Sequence, residues 1–145
     1  MPWYGCVFVS SHAMPPLLDL ALLDPRLNKL RHAAAIALFL AIVIAGSIPG
    51  ARADIGEYAS GVVLHSSAYA VLAVLWFTGS RGNGAARTIA TVLAIAVMGA
   101  IDESVQSFFP YRGADVRDWM VDVSSALAAS ALLWALLPKA ALQRS

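Results

Sequence analysis

Residues 101–122 read IDESVQSFFPYRGADVRDWMVD and hold Asp102, Glu103, Asp115, Asp118 and Asp122, five of the nine acidic residues in the chain. Long apolar runs reach this stretch from both sides. Carboxylates at the ends of apolar helices are costly unless they face water, a partner or a ligand. The pattern therefore predicts a small integral membrane protein with a polar cluster at one membrane face.

Composition supports lipid as the solvent. The chain has 145 residues, 59% hydrophobic and 13% charged, with a mean hydropathy of +0.70. A soluble domain carries roughly 25% charged residues, so this chain has too few to cover its apolar surface. A formal net charge of +1 argues against nucleic acid as a partner. The single cysteine, Cys6, cannot close an internal disulfide and has no metal-ligand spacing.

Working back to the start, residues 1–31 read as an N-terminal cytoplasmic segment. Trp3, Tyr4, Val7, Phe8 and Val9 form a short apolar patch, but no Lys or Arg precedes Arg26, unlike a secretory signal. The patch either lies in the membrane interface or precedes a true start at Met14 instead of Met1. Pro15 and Pro16 delay any helix to about Leu17. The first apolar run covers residues 32–48. Its length of about 25 Å suffices to span when basic flanks snorkel, here Arg26, Lys29 and Arg31 with His32 interfacial. Pro49 and Gly50 stop it, and a loop with Arg52, Asp54 and Glu57 follows.

A second run covers residues 61–78 and includes His65 and Tyr69. Residues 79–84 are a turn-rich loop flanked by Arg81 and Arg87. The third run begins near Thr88, stays apolar to Ile101 and ends by Pro110. The fourth covers residues 119–137, with Asp122 near its start, and residues 138–145 form a cytoplasmic tail. Arg26, Lys29, Arg31, Arg81, Arg87, Lys139 and Arg144 are seven of the ten Lys and Arg; they flank one side of such a bundle. Arg52, Arg112 and Arg117 flank the other. By the positive-inside rule both termini are cytoplasmic. The predicted fold is all-α: a polytopic four-transmembrane-helix bundle, N-in/C-in, with its membrane domain over residues 32–137. Ala90, Ala94, Ala126 and Ser130, with the Ser125/Ala129 small-residue step, are expected at helix contacts. Alternatively, the serines bond back to their own helix.

Three runs bring polar groups to one depth. His65 and Tyr69 are four apart, Glu103 and Gln106 three apart, Asp118 and Asp122 four apart, and each pair shares a helix face. The loop adds Arg112 and Asp115. Two readings compete. In the structural one, Asp118 caps the fourth helix, Asp102 and Glu103 reach water where the third helix ends early, His65 is a neutral histidine bonded to one carboxylate, and Arg112 pairs with Asp115 or Glu103. In the functional one, these intramembrane ionisable groups form a site. His65 with a carboxylate could serve as general base. His65, Glu103 and Asp118 or Asp122 could bind a divalent cation, and Arg112 a phosphate or carboxylate. No metalloprotease-type HExxH, phosphate-binding loop or activated nucleophile is present, so no cofactor and no metal is assigned from the sequence.

In order along the chain, His65-x-x-x-Tyr69-Ala-Val-Leu-Ala, Glu103-x-x-Gln106-x-Phe-x-Pro110-x-Arg112, and Asp115-x-x-Asp118 with a polar residue four later resemble the VanZ-like family. The resemblance covers residues 61–129. That family comprises small bacterial membrane proteins, named after one associated with resistance to the glycopeptide teicoplanin. It often has an Asp-Lys pair where this chain has Gly61 and Val62, and Asn where it has Asp122. Family glycines are Ser125 and Ala129 here. The resemblance implies a multi-pass protein of the bacterial inner membrane. The leading expectation is an envelope protein whose outer-face cluster meets membrane lipids and a lipid-linked or glycopeptide ligand, altering teicoplanin sensitivity. The rivals are an intramembrane enzyme acting on a lipid through His65 and Glu103, and a structural or assembly subunit. The sequence carries no signal for an oligomeric state.

Overall fold

The computed structural model describes residues 22–50 and 60–137. Over these residues the fold is all-helical, with four helices long and apolar enough to cross a membrane. They are α1 (Asn28–Ser47), α2 (Gly61–Gly79), α3 (Gly84–Gln106) and α4 (Val116–Leu136), and a 3-10 turn (Pro25–Leu27) leads into α1. The apolar patch at residues 3–9, Cys6, the choice between Met1 and Met14, and Arg52, Asp54, Glu57, Lys139 and Arg144 lie outside the described residues.

Local chemistry sets each boundary. Asp24 accepts from the Arg26 N–H at 2.8 Å and Pro25 opens the turn before α1. After α1, Pro49 and then Gly50, at φ +84°, break the helical path. Ser60, Asn83 and Asp115 cap α2, α3 and α4, accepting from the N–H groups of Val63, Ala86 and Arg117. Asp118 is thus not the cap of α4. It occupies the first turn, where a carboxylate also suits the helix dipole.

Three helices are longer than the apolar runs implied. α1 begins four residues before His32, α3 begins at Gly84 instead of near Thr88, and α4 begins at Val116 instead of Trp119. α3 and α4 start at turns capped by Asn83 and Asp115, whereas α1 has no side-chain cap and follows directly on the 3-10 turn capped by Asp24. α3 stops at Gln106, before Pro110, yet it carries both acids inside it: Asp102 is 1% and Glu103 7% exposed. The expected early end that would let them reach water does not occur.

Helix directions alternate. Asp122 near the start of α4 meets His65 near the start of α2. Arg31 in the first turn of α1 meets Thr78 at the end of α2, and Gly84 at the start of α3 lies against Trp134 at the end of α4. α4 packs chiefly on α2 and α3, and α1 chiefly on α2. The apolar core comprises Ala35, Phe39, Tyr69, Leu72, Ala73, Ile95, Met98 and Ala126.

The outer surface inverts the pattern of a soluble bundle. Ile36, Leu40, Ile44 and Ile48 form an exposed apolar stripe from α1, as do Ile89, Leu93, Val97 and Ile101 from α3. Asn28, Arg31, Arg87, Asp102, Glu103, Gln106 and Asp122 are buried instead. Such a helix bundle is stable where the surroundings are hydrocarbon. Ala126 and Ser130 lie at helix contacts as expected, whereas Ala90 is exposed. Ser125 bonds back to the Val121 carbonyl at 2.7 Å. Arg31 is not a snorkelling flank: it is buried, donating to the Thr78 carbonyl, the Asn28 side chain and the Asp24 carbonyl.

Candidate functional site

The end of the bundle where α2 and α4 begin and α3 finishes gathers the acids. His65 sits one turn inside α2, and its Nδ1 lies 2.9 Å from Asp122 Oδ1. Asp122 is six residues into α4, about 9 Å from its start, and is 0% exposed. The other imidazole nitrogen, Nε2, faces Asp118 Oδ2 at 3.6 Å. This is beyond hydrogen-bond range, so the close partner of the ring is Asp122.

A second layer supports this pair. Tyr69 stacks on His65 with ring centroids 6.0 Å apart and an interplanar angle of 3°. Its hydroxyl donates to Asp102 Oδ2 at 3.2 Å. Glu103 Oε2 accepts the Asp115 backbone N–H at 2.6 Å, tying the loop before α4 to the end of α3. Arg112 Nη2 donates to Gln106 Oε1, so the loop is anchored to α3 through an amide as well. Trp119 donates its indole N–H to the Ala96 carbonyl at 2.9 Å.

Close approach of α3 and α4 depends on Gly99. A Cβ there would stand 3.0 Å from Asp122 Oδ2 and 3.1 Å from Trp119 Cδ1. Glycine therefore lets the buried carboxylate lie against the α3 backbone.

All eight residues singled out in the sequence stand at this end, in different roles. His65 meets Asp122 directly, with Asp118 3.6 Å from its other nitrogen and Glu103 beside them: one ligand atom each from His65, Glu103 and Asp118 falls within 4.8 Å of the others. Tyr69 reaches the group by stacking, and Gln106 and Arg112 form a neighbouring pair. The Asp115 side chain does not join; it caps α4, and only its backbone N–H enters the site. The residue that reading by pairs passed over is Asp102. A signal for it exists, because Asp102 and Gln106 are four apart and share the face of α3 that carries Glu103.

Beside the cluster lies a cavity of about 210 Å³. Apolar Ile42, Leu64 and Ala68 line it together with the polar side chains of His65, Tyr69, Asp102, Gln106 and Arg112. An apolar lining carrying a few hydrogen-bonding groups suits an amphiphile. Several buried oxygens at this end carry no hydrogen bond: Asp102 Oδ1, Glu103 Oε1 and Asp122 Oδ2. Buried carboxylate oxygens are costly in that state.

A family profile for VanZ/LLP1 matches residues 48–137, more than half of the 145-residue chain. The chain belongs to the VanZ/LLP1 family. The match starts where α1 ends and runs through α4, so the VanZ/LLP1 region contains every residue of the polar cluster. α1 precedes that region and supplies a wall of the cavity through Ile42. Family and helices together make this VanZ/LLP1 chain a multi-pass membrane protein. No curated protein and no solved structure matches it.

Proposed function

We propose that this VanZ/LLP1 protein resides in the bacterial cytoplasmic membrane with both termini inside, and binds the headgroup of a lipid-linked envelope molecule at its outer face. The observation that carries the reading is a cavity lined both by apolar side chains and by His65, Tyr69, Asp102, Gln106 and Arg112. Carboxylates such as Asp102 accept hydrogen bonds from sugar hydroxyls or ammonium groups, and a guanidinium pairs with phosphate. A lipid-linked glycan phosphate presents both kinds of group. Occupying or shielding such a molecule would alter sensitivity to teicoplanin, consistent with the family's namesake.

Native mass spectrometry of the protein extracted in mild detergent tests the ligand. A co-purifying lipid-linked species that is retained by wild type and lost in Arg112→Ala supports the reading; equal retention by both counts against it. Deleting the protein and measuring teicoplanin sensitivity tests the physiological part, and an unchanged sensitivity argues against it.

A second reading is favoured by one contact. Asp122 on His65 Nδ1 is an arrangement that orients a general-base imidazole, leaving Nε2, 3.6 Å from Asp118, as the nitrogen that would take the proton. An intramembrane enzyme on a lipid follows, and it requires that His65→Ala and Glu103→Gln abolish turnover while the protein remains folded. If both variants only lower abundance in the membrane, the cluster is a structural joint between helices.

A further inference from the structure

We infer that His65, Glu103 and Asp118 form a binding site for a divalent transition-metal cation, Zn²⁺ or Mn²⁺, at the polar end of the bundle. The inference goes beyond the lipid reading and does not depend on what fills the cavity.

Three observations carry it. The first is the pairing of the imidazole. Asp122 Oδ1 lies 2.9 Å from Nδ1, and a neutral ring donating there presents a lone pair at Nε2. That lone pair faces Asp118 Oδ2 at 3.6 Å. Two ligands held about 2.1 Å from a tetrahedral ion stand about 3.4 Å apart, close to this separation. A carboxylate on the far nitrogen of a ligating histidine is also the usual support of a metal site.

The second observation is Glu103. Its carboxylate lies within 4.8 Å of the ligand atoms of His65 and Asp118. The residue is 7% exposed, one oxygen is held by the Asp115 N–H at 2.6 Å, and the other, Oε1, has no hydrogen bond. A buried carboxylate oxygen without a partner is an acceptor waiting for a cation. The third is charge. Among the described residues at this end, the carboxylates of Asp102, Glu103, Asp118 and Asp122 gather around one imidazole, with Arg112 beside them and Arg117 exposed at the start of α4. Low local dielectric makes that excess negative charge expensive, and a divalent ion offsets it.

The donor set narrows the ion. One imidazole nitrogen with two carboxylates suits Zn²⁺ or Mn²⁺ better than Mg²⁺ or Ca²⁺, which favour all-oxygen shells. Three protein ligands leave a position open to water or to a ligand oxygen.

The test uses the full chain in detergent micelles, stripped with chelator and titrated with Mn²⁺, with Zn²⁺ as competitor. The expected result is one Mn²⁺ per chain, displaced by Zn²⁺, with pulsed-EPR coupling to a single imidazole nitrogen. His65→Gln should lose that coupling, and Glu103→Gln and Asp118→Asn should each weaken binding by about 10-fold or more. Asp24→Asn, at the opposite end, should leave it unchanged. No binding by wild type up to about 1 mM, a coupling retained in His65→Gln, or equal affinity in Glu103→Gln, Asp118→Asn and wild type would each overturn the inference. Should His65→Gln fail to fold, the His12→Gln/His32→Gln variant decides: an imidazole coupling retained there supports the site, and its loss overturns it.

Discussion

His65 Nδ1 and Asp122 Oδ1, 57 residues apart in the chain, meet at 2.9 Å and join α2 to α4. Asp122 has no exposure to solvent, so this contact is what makes its burial tolerable. Removing one member of such a pair typically costs about 3–5 kcal/mol, because the other is left buried and uncompensated. His65→Ala should therefore lower thermal stability in detergent by about 3 kcal/mol, and Asp122→Leu by a similar amount. Asp122→Asn should cost about 1 kcal/mol or less, since an amide oxygen still accepts from Nδ1–H. Unfolding monitored by circular dichroism in micelles checks all three; an Asp122→Asn protein as unstable as His65→Ala would refute the role given to this contact.

Gly99 controls how closely α3 and α4 approach. With Asp122 Oδ2 at 3.0 Å and Trp119 Cδ1 at 3.1 Å from a built Cβ, Gly99→Ala must push α4 outward or turn Trp119. The expected cost is about 1–3 kcal/mol, the range for overpacking a tight contact. Gly113, where a Cβ meets nothing within 4 Å, serves as control. Comparable melting temperatures for Gly99→Ala and Gly113→Ala would contradict the packing described.

At the opposite end, Arg31 caps α2 from outside by donating to the Thr78 carbonyl while also holding Asn28 and the Asp24 carbonyl. Its planar fork serves these acceptors together, which a lysine ammonium cannot reproduce. Arg31→Ala is expected to destabilise by about 2–3 kcal/mol, with Arg31→Lys recovering less than half. Membrane abundance and melting temperature measure this; full recovery by lysine would show that charge alone matters.

The proposed sidedness is open to direct labelling. In a Cys6→Ser background, Gly113→Cys should react with an impermeant maleimide in intact cells. Arg81→Cys should react only after the membrane is opened. Labelling of both from the same side would exclude four crossings with the polar cluster at the outer face.

Much of this architecture could be read from residue order. Four apolar runs, their Pro and Gly stops and the distribution of basic residues predict four helices and their approximate spans. The order of His65, Glu103, Arg112 and Asp118 was enough to suggest the family. Boundaries were less legible, because Asn83 and Asp115 start helices with polar turns that look like loop. The capping role of Asp115 is hard to read for the same reason: a cap and a site ligand have the same composition.

What the sequence determined by itself is the solvent and the number of crossings, since the preference for hydrocarbon belongs to each residue and adds along a run. What only the tertiary structure decided is which polar atoms meet. That depends on how each helix is rotated and how near its neighbours come, and these are properties of packed pairs. Hence Asp122 found His65, Glu103 bonded to the loop N–H of Asp115, Arg112 to Gln106, and Arg31 and Arg87 moved from presumed flanks into the interior.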